Sequence, residues 1–98
     1  MVSVLLVQIV RTPDDGIAAF QRYESLVLPL LPKYSGKLER RLRSADGQVE
    51  VHIVSFPTRD ALDRYRADPV RQQHLPLLES SGAKTELIEV SDAGDDPQ

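Results

Sequence analysis

His52 and His74 are the two side chains of this sequence best suited to moving protons near neutral pH. His52 lies in KLERRLRSADGQVEVHIVSF, residues 37–56, two positions after Glu50. Asp46-Gly47 in the middle of that stretch is a hairpin-turn signal, because Gly accepts the positive φ of a tight turn and Asp tolerates it. With a two-residue loop, or a four-residue one over 45–48, Arg41 faces His52, Arg43 faces Glu50, Ser44 faces Val49 and Leu38 faces Ser55. A histidine between a carboxylate and two arginines has a tunable pKa and suits anion binding or acid–base work. The same charges also suit a salt-bridged lattice at an interface or on an edge strand.

Further candidates come from the helical stretches. Phe20, Tyr23 and Glu24 share or adjoin one apolar stripe, and Tyr65 stands on another, so a phenol could orient a substrate oxygen in a pocket between helices and sheet. As core aromatics with a wet hydroxyl they need no ligand. His74 falls on the stripe Val70, His74, Leu77, Leu78, where a histidine reads first as a hydrogen-bonded core residue and second as a proton carrier. The histidines have no HxxxH or HExxH spacing and there is no cysteine, so no metal site and no disulfide is expected. A nucleophile elbow, a glycine-rich phosphate loop and a paired-carboxylate motif are all missing, which removes triad hydrolysis and phosphoryl transfer.

These residues must be positioned by a single small domain. The 98 residues carry 12 Lys and Arg against 15 Asp and Glu, a net charge of −3, with no basic stripe for nucleic acid. The opening MVSVLLVQIV lacks a basic leader and is shorter than the roughly 20 residues of a membrane span, so it reads as a strand and the protein as cytoplasmic. Its apolar side chains on both faces mark a central strand covered on two sides.

Thr12-Pro13-Asp14-Asp15 opens a helix with Thr12 as cap, and Pro29 ends or kinks it near Leu28. Thr58 caps a second helix and Asp68-Pro69 restarts it as far as Gly82. Residues 84–90 form the last strand, and 91–98 are expected as a disordered acidic tail after a single domain over 1–90. The order β-α-β-β-α-β is the ferredoxin-like α+β arrangement, a four-stranded antiparallel sheet with the first and third strands central and both helices on one face.

In the hairpin, Leu38, Leu42, Val49, Val51 and Ile53 are expected on the helix side, with Glu39, Arg41, Arg43, Glu50, His52, Val54 and Phe56 on the other. The first strand's second apolar face then needs a cover that the chain itself does not contain. A homodimer with two sheets packed face to face supplies it.

The segments SFPTRDALDRYRADPVRQQH and YESLVLPLLPKYSGKL, with Phe56-Pro57, Tyr65, Asp68-Pro69 and His74 six residues after Asp68, resemble the dimeric α/β-barrel superfamily, closest to its antibiotic biosynthesis monooxygenase-like group and its small uncharacterised members. The resemblance runs over residues 2–90. It implies a fold of two ferredoxin-like sheets and activities such as cofactor-independent monooxygenation of polyketide-like aromatics, isomerisation, cyclisation or haem degradation. By the same resemblance His74 stands where haem degraders place their iron ligand, but this chain has no Trp, which those enzymes press on the haem.

The expected function is a homodimeric enzyme acting without cofactor on a hydrophobic oxygenated small molecule. His52, His74, Tyr23 and Arg41 are its candidate catalytic residues, and Arg43, Glu24, Tyr65 and Phe20 its candidate substrate-binding residues. The alternative is a non-catalytic ligand-binding or structural dimer, with haem binding ranked below both.

Overall fold

A computed structural model describes residues 3–91. The expected disordered tail, apart from Ser91, lies outside the described residues. Four strands, β1 (Val4–Arg11), β2 (Lys37–Arg43), β3 (Val49–Phe56) and β4 (Lys84–Val90), form one antiparallel sheet in the order β2-β3-β1-β4. Three helices, α1 (Ile17–Val27), α2 (Arg59–Arg66) and α3 (Pro69–Ser81), complete the ferredoxin-like α+β fold. The β-branched first strand is central beside β3, as its two apolar faces require.

Each helix boundary has a local cause. Thr58 accepts a hydrogen bond from the Ala61 amide at 3.0 Å and starts α2. Asp68 starts α3 by accepting from the amides of Val70 and Arg71 at 2.8 and 3.2 Å, with Pro69 in the first turn, and Gly82 ends it at φ 73°. Pro29 acts as expected: α1 stops at Val27 and the chain tightens into a 3-10 stretch, Leu28–Tyr34.

Thr12 does not cap. Pro13 precedes a short 3-10 turn, Asp14–Gly16, and the Thr12 amide instead donates to the Gln48 carbonyl at 2.8 Å, tying β1 to the hairpin loop. At Gly16 a Cβ would lie 1.8 Å from the carbonyl oxygen of Ser81, so glycine is what lets α1 approach the end of α3. Because α3 packs chiefly against α1, its expected stripe is only partly covered, and Val70 is exposed.

The hairpin has the four-residue loop. The Ser44 amide donates to the Val49 carbonyl at 2.9 Å, and Gly47 alone takes a positive φ, 77°. Asp46 contributes through its side chain, which accepts from Ser44 Oγ and the Gln48 amide at 2.7 and 2.9 Å. Arg41 therefore pairs with His52 and Arg43 with Glu50, as read from the turn. Leu38 does not meet Ser55; a bulge at Glu39 shifts it opposite Val54.

The expectation that fails is the choice of face. Glu50, His52, Val54 and Phe56 are buried beneath the helices, in line with Val4, Leu6 and Val10 of β1, whereas Val49, Val51 and Ile53 point to the open side with Val7, Ile9, Leu42 and Ile88. The bulge sends Leu38 to the helix side, where it packs on the core of Val4, Leu6, Leu31, Val54, Phe56, Ala61 and Leu62. Beyond the bulge, from Arg41 to Phe56, alternation sorted the side chains into the right two rows; Leu38 alone leaves the row of Leu42, Val49, Val51 and Ile53. Burial could not tell which row lies under the helices, because the charged row ends in Val54 and Phe56 and compensates its own charges.

Candidate functional site: a carboxylate–histidine cluster on a cavity

Helical spacing sets Phe20, Tyr23, Glu24 and Val27 on the buried side of α1, so Glu24 is carried inward by the same periodicity that buries its apolar neighbours. Across from it, β3 presents Glu50 and His52 two residues apart on one face, and β2 supplies Arg41 and Arg43 as their cross-strand neighbours. Three elements thus bring together five ionisable side chains.

His52 Nε2 lies 2.7 Å from Glu50 Oε1 and 2.6 Å from Glu24 Oε2. Arg41 donates through Nε to Glu50 Oε1 at 2.8 Å and through Nη2 to Glu24 Oε1 at 3.0 Å, and Arg43 Nε donates to Glu50 Oε2 at 2.8 Å. The side chains of Glu24 and Glu50 are 2% exposed, those of Arg41 and Arg43 37% and 42%. Charge is therefore buried at the carboxylates while the guanidiniums still reach solvent.

One nitrogen serves two carboxylates. Nε2 is hydrogen-bonded to Glu50 Oε1, and Glu24 Oε2, although only 2.6 Å away, is left without an aligned hydrogen-bond partner. The two acids are driven apart. Burial raises the Glu24 pKa above its ordinary 4.5, and the nearby Glu50 carboxylate outweighs part of what His52 gives back. Burial also opposes ionisation of Glu50, but its hydrogen bonds with His52, Arg41 and Arg43 overcome it and hold Glu50 well below the carboxylate range. Burial would lower His52, yet its two carboxylate neighbours raise it above 6.5. Two acids separated in this way take different roles, a fixed anion and a group poised to exchange a proton.

Beside the cluster, between helices and sheet, lies a cavity of about 210 Å³. Glu24 and His52 form part of its wall, and Phe20, Tyr23, Val27, Leu31, Phe56 and Tyr65 are among the apolar and aromatic residues that line the rest. Burial raises the pKa of both Tyr23 and Tyr65, so both phenols stay protonated as donors.

Of the residues singled out from sequence, His52, Tyr23, Glu24, Tyr65 and Phe20 meet at this cavity. Arg41 and Arg43 stand behind it, on Glu50. His74 is half-buried on α3 and does not line it. Sequence reasoning passed over Gln8 and Arg71, both on the wall. Gln8 interrupts the apolar helix-side row of β1, a signal that was there to find; Arg71 carries none.

Glu24, Glu50 and His52 also place three potential ligand atoms within 4.8 Å of one another, a spacing open to a metal ion. The arginines already on both Glu50 oxygens and on Glu24 Oε1 argue against a further divalent charge there.

Fold and site together describe a ferredoxin-like α+β domain with an acid–base cluster on an apolar cavity. No protein-family model and no curated protein matches the chain. Solved structures do match. SnoaB, a cofactor-independent oxygenase from Streptomyces nogalater, is 19% identical with a TM-score of 0.77, covering 98% of both chains. A candidate antibiotic biosynthesis monooxygenase from Nitrosomonas europaea is 11% identical with a TM-score of 0.78, covering 95% of this chain and 92% of its own. A dimeric ferredoxin-like protein of unknown function from Jannaschia sp. CCS1 is 16% identical with a TM-score of 0.66, covering 90% and 99%. The expected resemblance to the antibiotic biosynthesis monooxygenase type thus holds at the level of fold. No helix among the described residues is long and apolar enough to cross a membrane.

Proposed function

We propose that the protein is a homodimeric enzyme that removes a proton from a small, hydrophobic, oxygenated molecule without the help of a cofactor. The observation that carries this reading is the buried Glu24–His52 contact on the wall of a cavity lined mainly by apolar and aromatic side chains. Glu24 Oε2 is the base: it lacks an aligned donor, and its raised pKa makes it a stronger proton acceptor than an ordinary carboxylate. His52 holds its position through Glu50, which Arg41 and Arg43 keep anionic and fixed.

Tyr23 or Tyr65 donates a hydrogen bond to the substrate oxygen, so the proton leaving carbon or oxygen passes to Glu24 while the charge gathers on an enolate or phenolate. That anion can give electrons to dioxygen, be reprotonated elsewhere, or attack a carbonyl of its own skeleton. Oxidation, isomerisation and cyclisation therefore share this first step. The likeness to a cofactor-independent oxygenase supports the oxidative branch. The cavity is smaller than the roughly 300–1,000 Å³ of a drug-sized site, which favours one or two rings. His74, away from the cavity, drops out of this mechanism, and the haem reading loses its ligand there.

The test is oxygen uptake and product formation with a panel of hydroxylated one- and two-ring aromatics, with and without a chelator. Glu24→Gln should cut turnover by about 10²–10⁴-fold with the fold retained. Turnover that survives Glu24→Gln and His52→Gln, or that the chelator abolishes, would overturn the proposal.

A further inference from the structure

The polar groups of the cavity are not all at the Glu24–His52 wall. Arg71, in the first turn of α3, also lines it, with its guanidinium 5.2 Å from the centre of the Tyr65 ring. Its Nη1 donates to the Arg66 carbonyl oxygen at 3.3 Å, but its Nε is buried and has no hydrogen-bond partner. Arg41 is spent on Glu24 and Glu50, Arg43 on Glu50, Lys33 on Asp68 and Arg59 on Glu89, while Arg66, which also lines the cavity, is exposed to solvent. Arg71 forms no ion pair with any carboxylate among the described residues. A buried unpaired donor on a charged group is costly, and a site that binds an anion repays that cost only when the anion arrives.

We propose that Arg71 is the anion-recognition residue of the cavity, taking a negatively charged oxygen, carboxylate or phenolate, of a flat apolar ligand that rests on Phe20, Phe56 and Tyr65. The inference rests on the cavity being the substrate site and narrows the substrate to an anion. Arg71 lies close enough to both phenols that its charge counters part of the rise burial gives Tyr23 and Tyr65, and all three donors line the same cavity. Glu24, on the same cavity, repels a like charge. An anionic ligand therefore has one favoured orientation, its charged oxygen on Arg71 and its uncharged end toward Glu24.

Calorimetric titration of the whole protein with matched ligands decides it: 1-naphthoate against 1-naphthamide, and 4-nitrophenolate against 4-nitroanisole. Wild type should prefer the charged member of at least one pair by about tenfold or more, the effect of a hydrogen bond to a charged group in a shielded site. The pair that shows the preference identifies carboxylate or phenolate as the source. Arg71→Gln should erase the preference, so that the charged and neutral members of the pair bind alike, and Arg71→Lys, which keeps the charge but not the planar fork, should restore part of it. Equal binding of charged and neutral ligands by wild type, or a preference that persists in Arg71→Gln, overturns the role of Arg71 and leaves the cavity a binding site. Failure of all four ligands to bind overturns this inference and the cavity reading together.

Discussion

The two faces of the sheet solve the problem of burial in opposite ways. Beneath the helices, β3 buries two charged residues, Glu50 and His52, and the cost is offset by Arg41, Arg43 and the bond between them and the carboxylates. On the other side, Val7, Ile9, Val51 and Ile53 form an apolar row that no helix among the described residues covers, and Leu42 and Ile88 at its margins are 41% and 40% exposed. A self-neutralised network can be closed off within one chain. An apolar row is satisfied only by more apolar surface, and the proposed dimer would supply it from a second copy.

The sharpest way to break that contrast is to charge the open face. Wild type is expected to sediment at micromolar concentration as twice the 11.0 kDa chain, and Ile53→Glu to convert it to a folded monomer, since an unpaired carboxylate would be buried at the sheet-to-sheet contact. A wild-type monomer would remove the dimer from the proposal, and a dimer that tolerates Ile53→Glu would place the contact elsewhere.

On the helix face the largest loss should come from Glu50→Gln, which leaves Arg43 without its anion and His52 and Arg41 with Glu24 alone. Urea unfolding should show a loss of about 3 kcal/mol, the lower end of the cost of breaking a buried pair, because both arginines still reach solvent. A change under ~1 kcal/mol would mean the network contributes little to the fold.

Stability should also depend on pH on two sides. His52 has a raised folded pKa, so its carboxylate bonds contribute fully below its ordinary 6.5 and are lost as pH climbs through the folded value. Glu50 has a depressed pKa, so its contribution is present above 4.5 and is lost as pH falls toward the folded value. Unfolding free energy measured against pH should therefore decline on both limbs. His52→Gln should flatten the alkaline limb, and Glu50→Gln should make the acid limb shallower. An alkaline limb unaltered by His52→Gln would contradict the buried, protonated imidazole.

The smallest effects should separate the two arginines. Arg41 bridges both carboxylates and Arg43 touches only Glu50, so Arg41→Met should cost about 1–2 kcal/mol and Arg43→Met less than about 1 kcal/mol in the same unfolding assay. Equal losses would mean the Arg41–Glu24 bond adds nothing.

Much of this fold is determined by local chemistry and could be read before any coordinates. Asp46-Gly47 set the hairpin and with it the Arg41–His52 and Arg43–Glu50 pairs; Thr58, Asp68-Pro69 and Gly82 set the helix boundaries; and the doubly apolar β1 required a central position. All of these rest on backbone geometry within a few residues or on strict alternation. Tertiary packing alone decided which hairpin row lies under the helices, since alternation separates two rows without ranking them. It also joined Glu24 to His52, on elements with no fixed register to each other, left Arg71 unpaired on the cavity wall, and kept His74 out of the site because α3 lies against α1. The Glu39 bulge belongs with these: one extra residue moved Leu38 to the opposite face, and nothing in the local residue types marks where a strand takes it.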